Sequence, residues 1–186
     1  MKHLWAPWRM EYIRRKKQSD KKGCVFCNKS KEKHNDKDNL VLFRGKESFV
    51  LMNLYPYNNG HLMVTPYKHA NSIELLSQSC MNEIMKLSDR SMRIIKKTLK
   101  SEGFNFGANI GKAGGAGIED HIHFHIVPRW IGDTNFMPAI GQTKVMVGGL
   151  TETYDELQSN FDKLNIDRGF DITDHVPELK EWYNRK

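Results

Sequence analysis

The hydrophobic period changes several times along the chain, and each change marks an element. Residues 40–44 and 48–53 are short apolar runs split by Gly45, a pattern that predicts a β-hairpin. A third strand is expected over 61–65, after Tyr55-Pro56-Tyr57-Asn58-Asn59-Gly60, a connection whose Pro and Gly forbid regular structure. From about 78 to 100 the period lengthens: Met81, Ile84, Met85, Met92, Ile95 and Leu99 recur near helical spacing. They predict a long helix with a Met-rich stripe in the core and Gly103 as its stop. Residues 104–110 and 122–129 predict two more strands around a glycine-rich loop, and 151–164 a second helix entered by a Thr cap. The polar stretch 29–39 reads as a loop, and the tail from 167 as ending in a short helix from Pro177. Together these make an α+β chain of about five strands and two main helices. It reads as a single domain over 1–186, with an N-terminal extension (1–39), a core (40–150) and a C-terminal helical region (151–186).

Composition narrows the class. A chain of 186 residues can bury roughly 70% of its extended surface around one core. An apolar fraction of 39% with 27% charged residues excludes a disordered or fibrous protein. The net charge of +7 favours anionic partners. Arg14, Arg15, Lys16, Lys17, Lys21 and Lys22 lack periodicity, however, and read as solvated, so nucleic acid is not expected as a partner. No run of about 18 apolar residues occurs and residues 1–9 lack the apolar stretch of a signal peptide, so a cytoplasmic protein without membrane contact is expected. Three cysteines, two of them spaced Cys24-Val25-Phe26-Cys27, suit metal or redox chemistry better than a disulfide framework. Cys80, at a helix start, is expected to be buried.

The densest chemistry lies at His121, His123 and His125. On a strand, alternate side chains share a face at roughly 6.5 Å intervals, so three imidazoles stand together while Ile122, Phe124 and Ile126 face a core. Burying three titratable rings is costly unless each has a partner, which argues against a packing role. Metal binding and nucleophilic catalysis both remain open. The preceding Gly111-Lys112-Ala113-Gly114-Gly115-Ala116-Gly117 can bring backbone N–H groups against phosphate oxygens, which favours phosphate chemistry. The cysteine pair needs two further ligands for a tetrahedral ion, and His34, His69 and His121 are candidates. Lys144, in Gln142-Thr143-Lys144, is a point charge suited to a polyphosphate or an acceptor phosphate.

His121-Ile122-His123-Phe124-His125-Ile126-Val127 resembles the His-x-His-x-His signature of the histidine triad (HIT) family of nucleotide hydrolases and transferases. The likeness extends to Leu4-Trp5-Ala6-Pro7-Trp8-Arg9, to Asn53 through Asn58 with Gly60-His61, and to Phe104-Asn105 through Asn109. It continues in Val127-Pro128-Arg129-Trp130 and on through Asn135 to Val145, covering roughly 4–150. These segments are similar to the bacterial branch that includes diadenosine tetraphosphate phosphorylases.

The resemblance implies a HIT-like fold, an antiparallel sheet with helices packed on it, assembled as a homodimer. It implies that His123 attacks the α-phosphorus to form a nucleotidyl-imidazole, and that His125 bonds the reacting phosphate and aids the leaving group. N–H groups of the 114–117 loop, including Gly115, Ala116 and Gly117, would meet the developing charge. Asn53 would take ribose hydroxyls and Asn109 sugar or phosphate, with His61 and Lys144 among the substrate contacts. A structural zinc would be held by Cys24, Cys27, His69 and His121. Nucleotide and inorganic phosphate, or water, are the implied reactants: phosphorolysis of a dinucleoside polyphosphate comes first. Hydrolysis of phosphoramidates or related conjugates, a binding module without turnover, or a metalloenzyme using all three histidines are the alternatives. The chain departs from many members in carrying Gly117 and Ile118 where they have Gln and then Ser or Thr, followed here by Glu119 and Asp120, two carboxylates expected to raise the histidine pKa values.

Overall fold

Two antiparallel strands, β1 (Val41–Arg44) and β2 (Ser48–Met52), form the expected hairpin, with a register shift between Val41 and Phe43. Its turn is clamped from outside by Glu83, whose carboxylate accepts from the N–H groups of Lys46, Glu47 and Ser48 and from Ser48 Oγ at 2.7–2.8 Å. β3 (Leu62–Pro66) pairs with β2, β5 (Phe124–Arg129) with β3, and β4 (Gly103–Ala108) with β5. All pairings are antiparallel, giving a five-stranded sheet in the order β1-β2-β3-β5-β4. The computed structural model describes residues 23–134 and 148–163. The basic N-terminal run, Lys144 and the Pro177 helix lie outside the described residues.

The long helix α3 (Gln78–Leu99) starts at Ser77, whose Oγ accepts from the Cys80 N–H. It ends at Lys100 in the left-handed region (φ 53°), ahead of the expected stop, because Gly103 already opens β4. Ile84, Leu87 and Ile95 are fully buried on its inner face, each contributing about 1.5–3 kcal/mol by leaving water. Met81 and Met92 flank them, whereas Met85 is 51% exposed and leaves the expected stripe. The second helix, α4 (Leu150–Phe161), begins at Gly149 with no side-chain cap, so Thr151 sits inside its first turn instead of capping it.

One sheet face, carrying Val50, Leu62, Val64, Phe124 and Ile126, packs under α3 and under Tyr154, Leu157 and Phe161 of α4. The other face carries a smaller cluster of Phe26, Val41, Phe49, Leu51 and Met63. Phe26 belongs to a short helix, α1 (Val25–Lys31), which α2 (Asp36–Asn39) follows, so the expected 29–39 loop is partly helical. Arg44 explains the difference. It donates to the carbonyls of Lys29 and Ser30, which end α1, and grips the Asp36 carboxylate at 2.7–3.1 Å. That tertiary anchor leaves no trace in local composition.

Candidate active site and metal centre

The segment leading into β5 is extended but paired irregularly: the Ile122 N–H donates to the Ala70 carbonyl, and the Ile122 carbonyl accepts from Thr65 Oγ1. His121 and His123 therefore precede the strand and only His125 lies within it. The alternation survives. Ile122, Phe124 and Ile126 enter the main core, while the three histidines are buried at 0%, 4% and 9% exposure.

Each buried ring has a partner that fixes its tautomer. His123 Nδ1 lies 2.9 Å from the His121 carbonyl, which can only accept, so Nδ1 carries the proton and Nε2 keeps a lone pair. His125 is set the other way through a fourth histidine. His61 Nδ1 accepts from the Tyr57 N–H at 3.0 Å and lies 3.3 Å from Asn53 Nδ2, so its proton sits on Nε2, 2.9 Å from His125 Nδ1. The His125 proton is thereby assigned to Nε2. The His123 and His125 rings stand 4.8 Å apart at 75°, one offering a nitrogen lone pair and the other a donor.

His61 itself is fully buried with both nitrogens engaged, which corrects its expected place among the substrate contacts: it supports His125. Burial, followed by the charge that His125 and His123 would carry, pushes it down to about 3. Burial and His123 likewise push His125 down to about 4. Burial lowers His123 against the opposing effect of its carbonyl bond. The expected rise from Glu119 and Asp120 is thus overturned, since both carboxylates are exposed and desolvation dominates.

At the other end of the run, His121 Nε2 lies 2.9 Å from the Pro66 carbonyl, which leaves Nδ1 free to ligate. That atom lies 3.3 Å from Cys24 Sγ, 3.6 Å from Cys27 Sγ and 3.3 Å from His69 Nδ1, and Cys27 Sγ is 3.3 Å from His69 Nδ1. All four donor atoms fall within 4.8 Å of one another. A tetrahedral zinc with bonds of about 2.0–2.3 Å requires donor separations of about 3.3–3.8 Å, so the set fits such an ion. His34 is exposed and outside this group. Phe26, between the cysteines, packs its ring 5.0 Å from His123 and 5.3 Å from His121. Sequence reasoning missed its contact with His123, although an aromatic residue inside a Cys-x-x-Cys is a visible signal.

The glycine-rich loop differs from expectation. The N–H groups of Gly114, Gly115 and Ala116 donate to the carbonyls of Gly111, Lys112 and Gly111, closing a 3-10 turn (Lys112–Gly114), so they are not presented to a phosphate. Gly117 lies outside these three bonds. Asn109 Nδ2 donates weakly to the Gly115 carbonyl at 3.4 Å, and Asn53 Oδ1 accepts from the Tyr55 N–H. Tyr57 also escaped notice: its half-exposed ring lies 4.6 Å from His61 and 5.7 Å from His125.

The HIT domain family model matches residues 34–130. An AP-4-A phosphorylase from Mycobacterium tuberculosis is 37% identical over 157 residues, 82% of this chain and 80% of that protein. A bis(5'-adenosyl)-triphosphatase from Dictyostelium discoideum is 28% identical over 89 residues, 48% of this chain and 59% of that protein. A Zn-bound histidine triad family protein from Mycobacterium smegmatis shares the fold with a TM-score of 0.60 at 22% identity, covering 76% of this chain and 94% of that one. With the His-x-His-x-His run buried beside a five-stranded antiparallel sheet, the chain belongs to the HIT domain family.

Proposed function

We propose that the chain is a nucleotidyl-transferring enzyme that splits dinucleoside polyphosphates of the diadenosine tetraphosphate type by phosphorolysis. The observation that carries the reading is the opposite wiring of two adjacent imidazoles, a lone pair on His123 Nε2 beside a proton on His125 Nε2. His123 Nε2 attacks the α-phosphorus and the N–P bond forms. The bond to the bridging oxygen breaks, its electron pair leaving on that oxygen, to which His125 Nε2–H donates. An oxygen of inorganic phosphate then attacks the same phosphorus, releasing ADP and restoring His123. Asn53 takes the ribose hydroxyls, Asn109 sugar or phosphate, and Lys144 the polyphosphate or the acceptor phosphate. Of the 114–117 N–H groups, that of Gly117 takes no part in the three bonds that close the 3-10 turn. Burial keeps His125 and His61 neutral at neutral pH, so this wiring holds where the reaction runs.

Zinc belongs to this reading as a closed structural ion on Cys24, Cys27, His69 and His121, tying α1 to the histidine run and supplying no step of the transfer. Burial and the neighbouring Cys24 push the Cys27 thiol up, a penalty that a cation between the sulfurs would reverse. A homodimer and a cytoplasmic setting complete the reading. Among the described residues β4 ends the sheet, an edge suited to a second copy, and no described helix is long and apolar enough to cross a membrane. Sedimentation of the purified protein tests the dimer.

Product analysis with diadenosine tetraphosphate decides the reaction. ADP plus ATP, formed only when inorganic phosphate is present, is the expected result. AMP plus ATP without phosphate would instead establish hydrolysis, the reading favoured by the triphosphatase relative. A nucleotide mass on the peptide holding His123 is expected under acid-sparing conditions, and its absence during turnover would sink the covalent route.

A further inference from the structure

Beyond His125 the sheet opens into a cleft of about 440 Å³, lined by residues that include Tyr57, Asn105, Gly107, Asn109, His125 and Arg129. His123 is not among the lining residues, so the cleft adjoins the donor imidazole and not the nucleophile. Its volume falls in the range of small-molecule sites. Gly107 lies directly across from His125 in the β4–β5 register. A Cβ there would meet no atom within 4 Å, and its backbone is of a kind that any residue adopts. The missing side chain therefore leaves space above the sheet and relieves no backbone strain.

One wall is the Tyr57 ring, 53% exposed and tilted by 28° against His125. At the other end Arg129, four residues along β5, stands roughly 13 Å from His125 at strand spacing. Its guanidinium is held by Asn105 Oδ1 at 2.8 Å and by the Asp133 carboxylate at 2.7 and 2.8 Å, which fixes its direction. An aromatic face, amides and a fixed guanidinium are the groups that recognise a base, a sugar and phosphates.

In an in-line displacement, entering and leaving groups occupy opposite sides of phosphorus. With His123 entering, the group that departs lies on the side away from it. The acceptor that later expels His123 must approach from that same side. We propose that this cleft is the subsite of the departing nucleoside polyphosphate and, once that has left, of the acceptor phosphate. The phosphates of the departing group begin at His125 and run along the cleft toward its Arg129 end, with the Tyr57 ring as the wall beside them. The inference rests on the nucleophile assigned above and adds the site that selects the leaving group.

The test compares two substrates that share the adenylyl half: diadenosine tetraphosphate, whose leaving group fills the cleft, and adenosine 5'-phosphoramidate, which releases only ammonia. In Gly107→Val, which suits an edge strand and fills the open space, the ratio of kcat/KM for the first over the second should fall about ten-fold or more. Gly107→Ala, with a single methyl, gives a smaller fall of about three-fold and serves where the valine variant does not fold by circular dichroism. A ratio within two-fold of wild type in the folded glycine variants overturns the subsite, even where both substrates are turned over. Turnover of neither substrate by the wild-type protein overturns the proposed function and the subsite with it.

Discussion

His121 and His123 stand two residues apart and carry the same ring, yet they are wired in opposite senses. At His121 the Pro66 carbonyl takes Nε2 and turns Nδ1 toward two sulfurs and a second imidazole. At His123 the carbonyl of His121 takes Nδ1 and leaves Nε2 as the free nitrogen. In the proposed function this leaves the first ring to hold an ion and the second to attack phosphorus. One carbonyl acceptor on each ring decides which nitrogen is left to work, and the residue type decides nothing.

The comparison breaks most sharply at His123. His123→Ala should cost about 10⁴-fold or more in kcat/KM and abolish the nucleotide adduct, since the attacking lone pair is lost with the ring. A loss below ten-fold would mean that the free nitrogen is idle. His125→Ala should cost about 10²–10³-fold, the scale of a lost donor to the departing oxygen, with the adduct still detectable by mass.

At the other end of the run the effect should fall on stability. Replacing Cys24 and Cys27 by Ser is expected to remove bound zinc and about 3 kcal/mol, or roughly 10 °C in Tm. The kcat of the folded fraction should stay within about ten-fold of wild type. Elemental analysis alongside calorimetry and single-turnover assays checks this, and a collapse of kcat in well-folded, zinc-free protein would erase the division between the two rings.

The smallest effect tests the fourth histidine. A histidine whose folded value is depressed stays neutral in the fold while the unfolded chain gains a proton. Its contribution is therefore fully present above about 6.5 and lost as the pH falls toward about 3. For His61 the slope is about 1.4 kcal/mol per pH unit. Urea midpoints measured at pH 7.5, 6.5 and 5.5 should show it, and His61→Leu should flatten it by one proton while slowing turnover about 10–100-fold through the unsupported His125 ring. An unchanged slope in the variant would show that His61 is not the group responsible.

Much of the fold was legible because it repeats locally. The strands, the long helix and the inward side of Ile122, Phe124 and Ile126 follow from period alone, with boundaries shifted by one or two residues. The donors Cys24, Cys27, His69 and His121, assigned through the family likeness, do converge in space. Three features were misread for one reason. The 29–39 segment is partly helical because Arg44 reaches back to it. The loop N–H groups are turned inward by carbonyls within the loop. The triad is depressed and not raised because burial outweighs exposed carboxylates. Each depends on where groups distant or hidden in the sequence come to rest.

By itself, then, the sequence determined the kinds of chemistry present: three alternating imidazoles, a pair of thiols at metal-binding spacing and a glycine-rich turn, all properties of residue identity and short-range period. Only the tertiary structure decided which nitrogen of each ring is available. That depends on the Pro66 carbonyl, the His121 carbonyl and the relay from the Tyr57 N–H through His61, whose positions are set by packing across the sheet. A tautomer is a property of the neighbours, and those neighbours meet only in the folded chain.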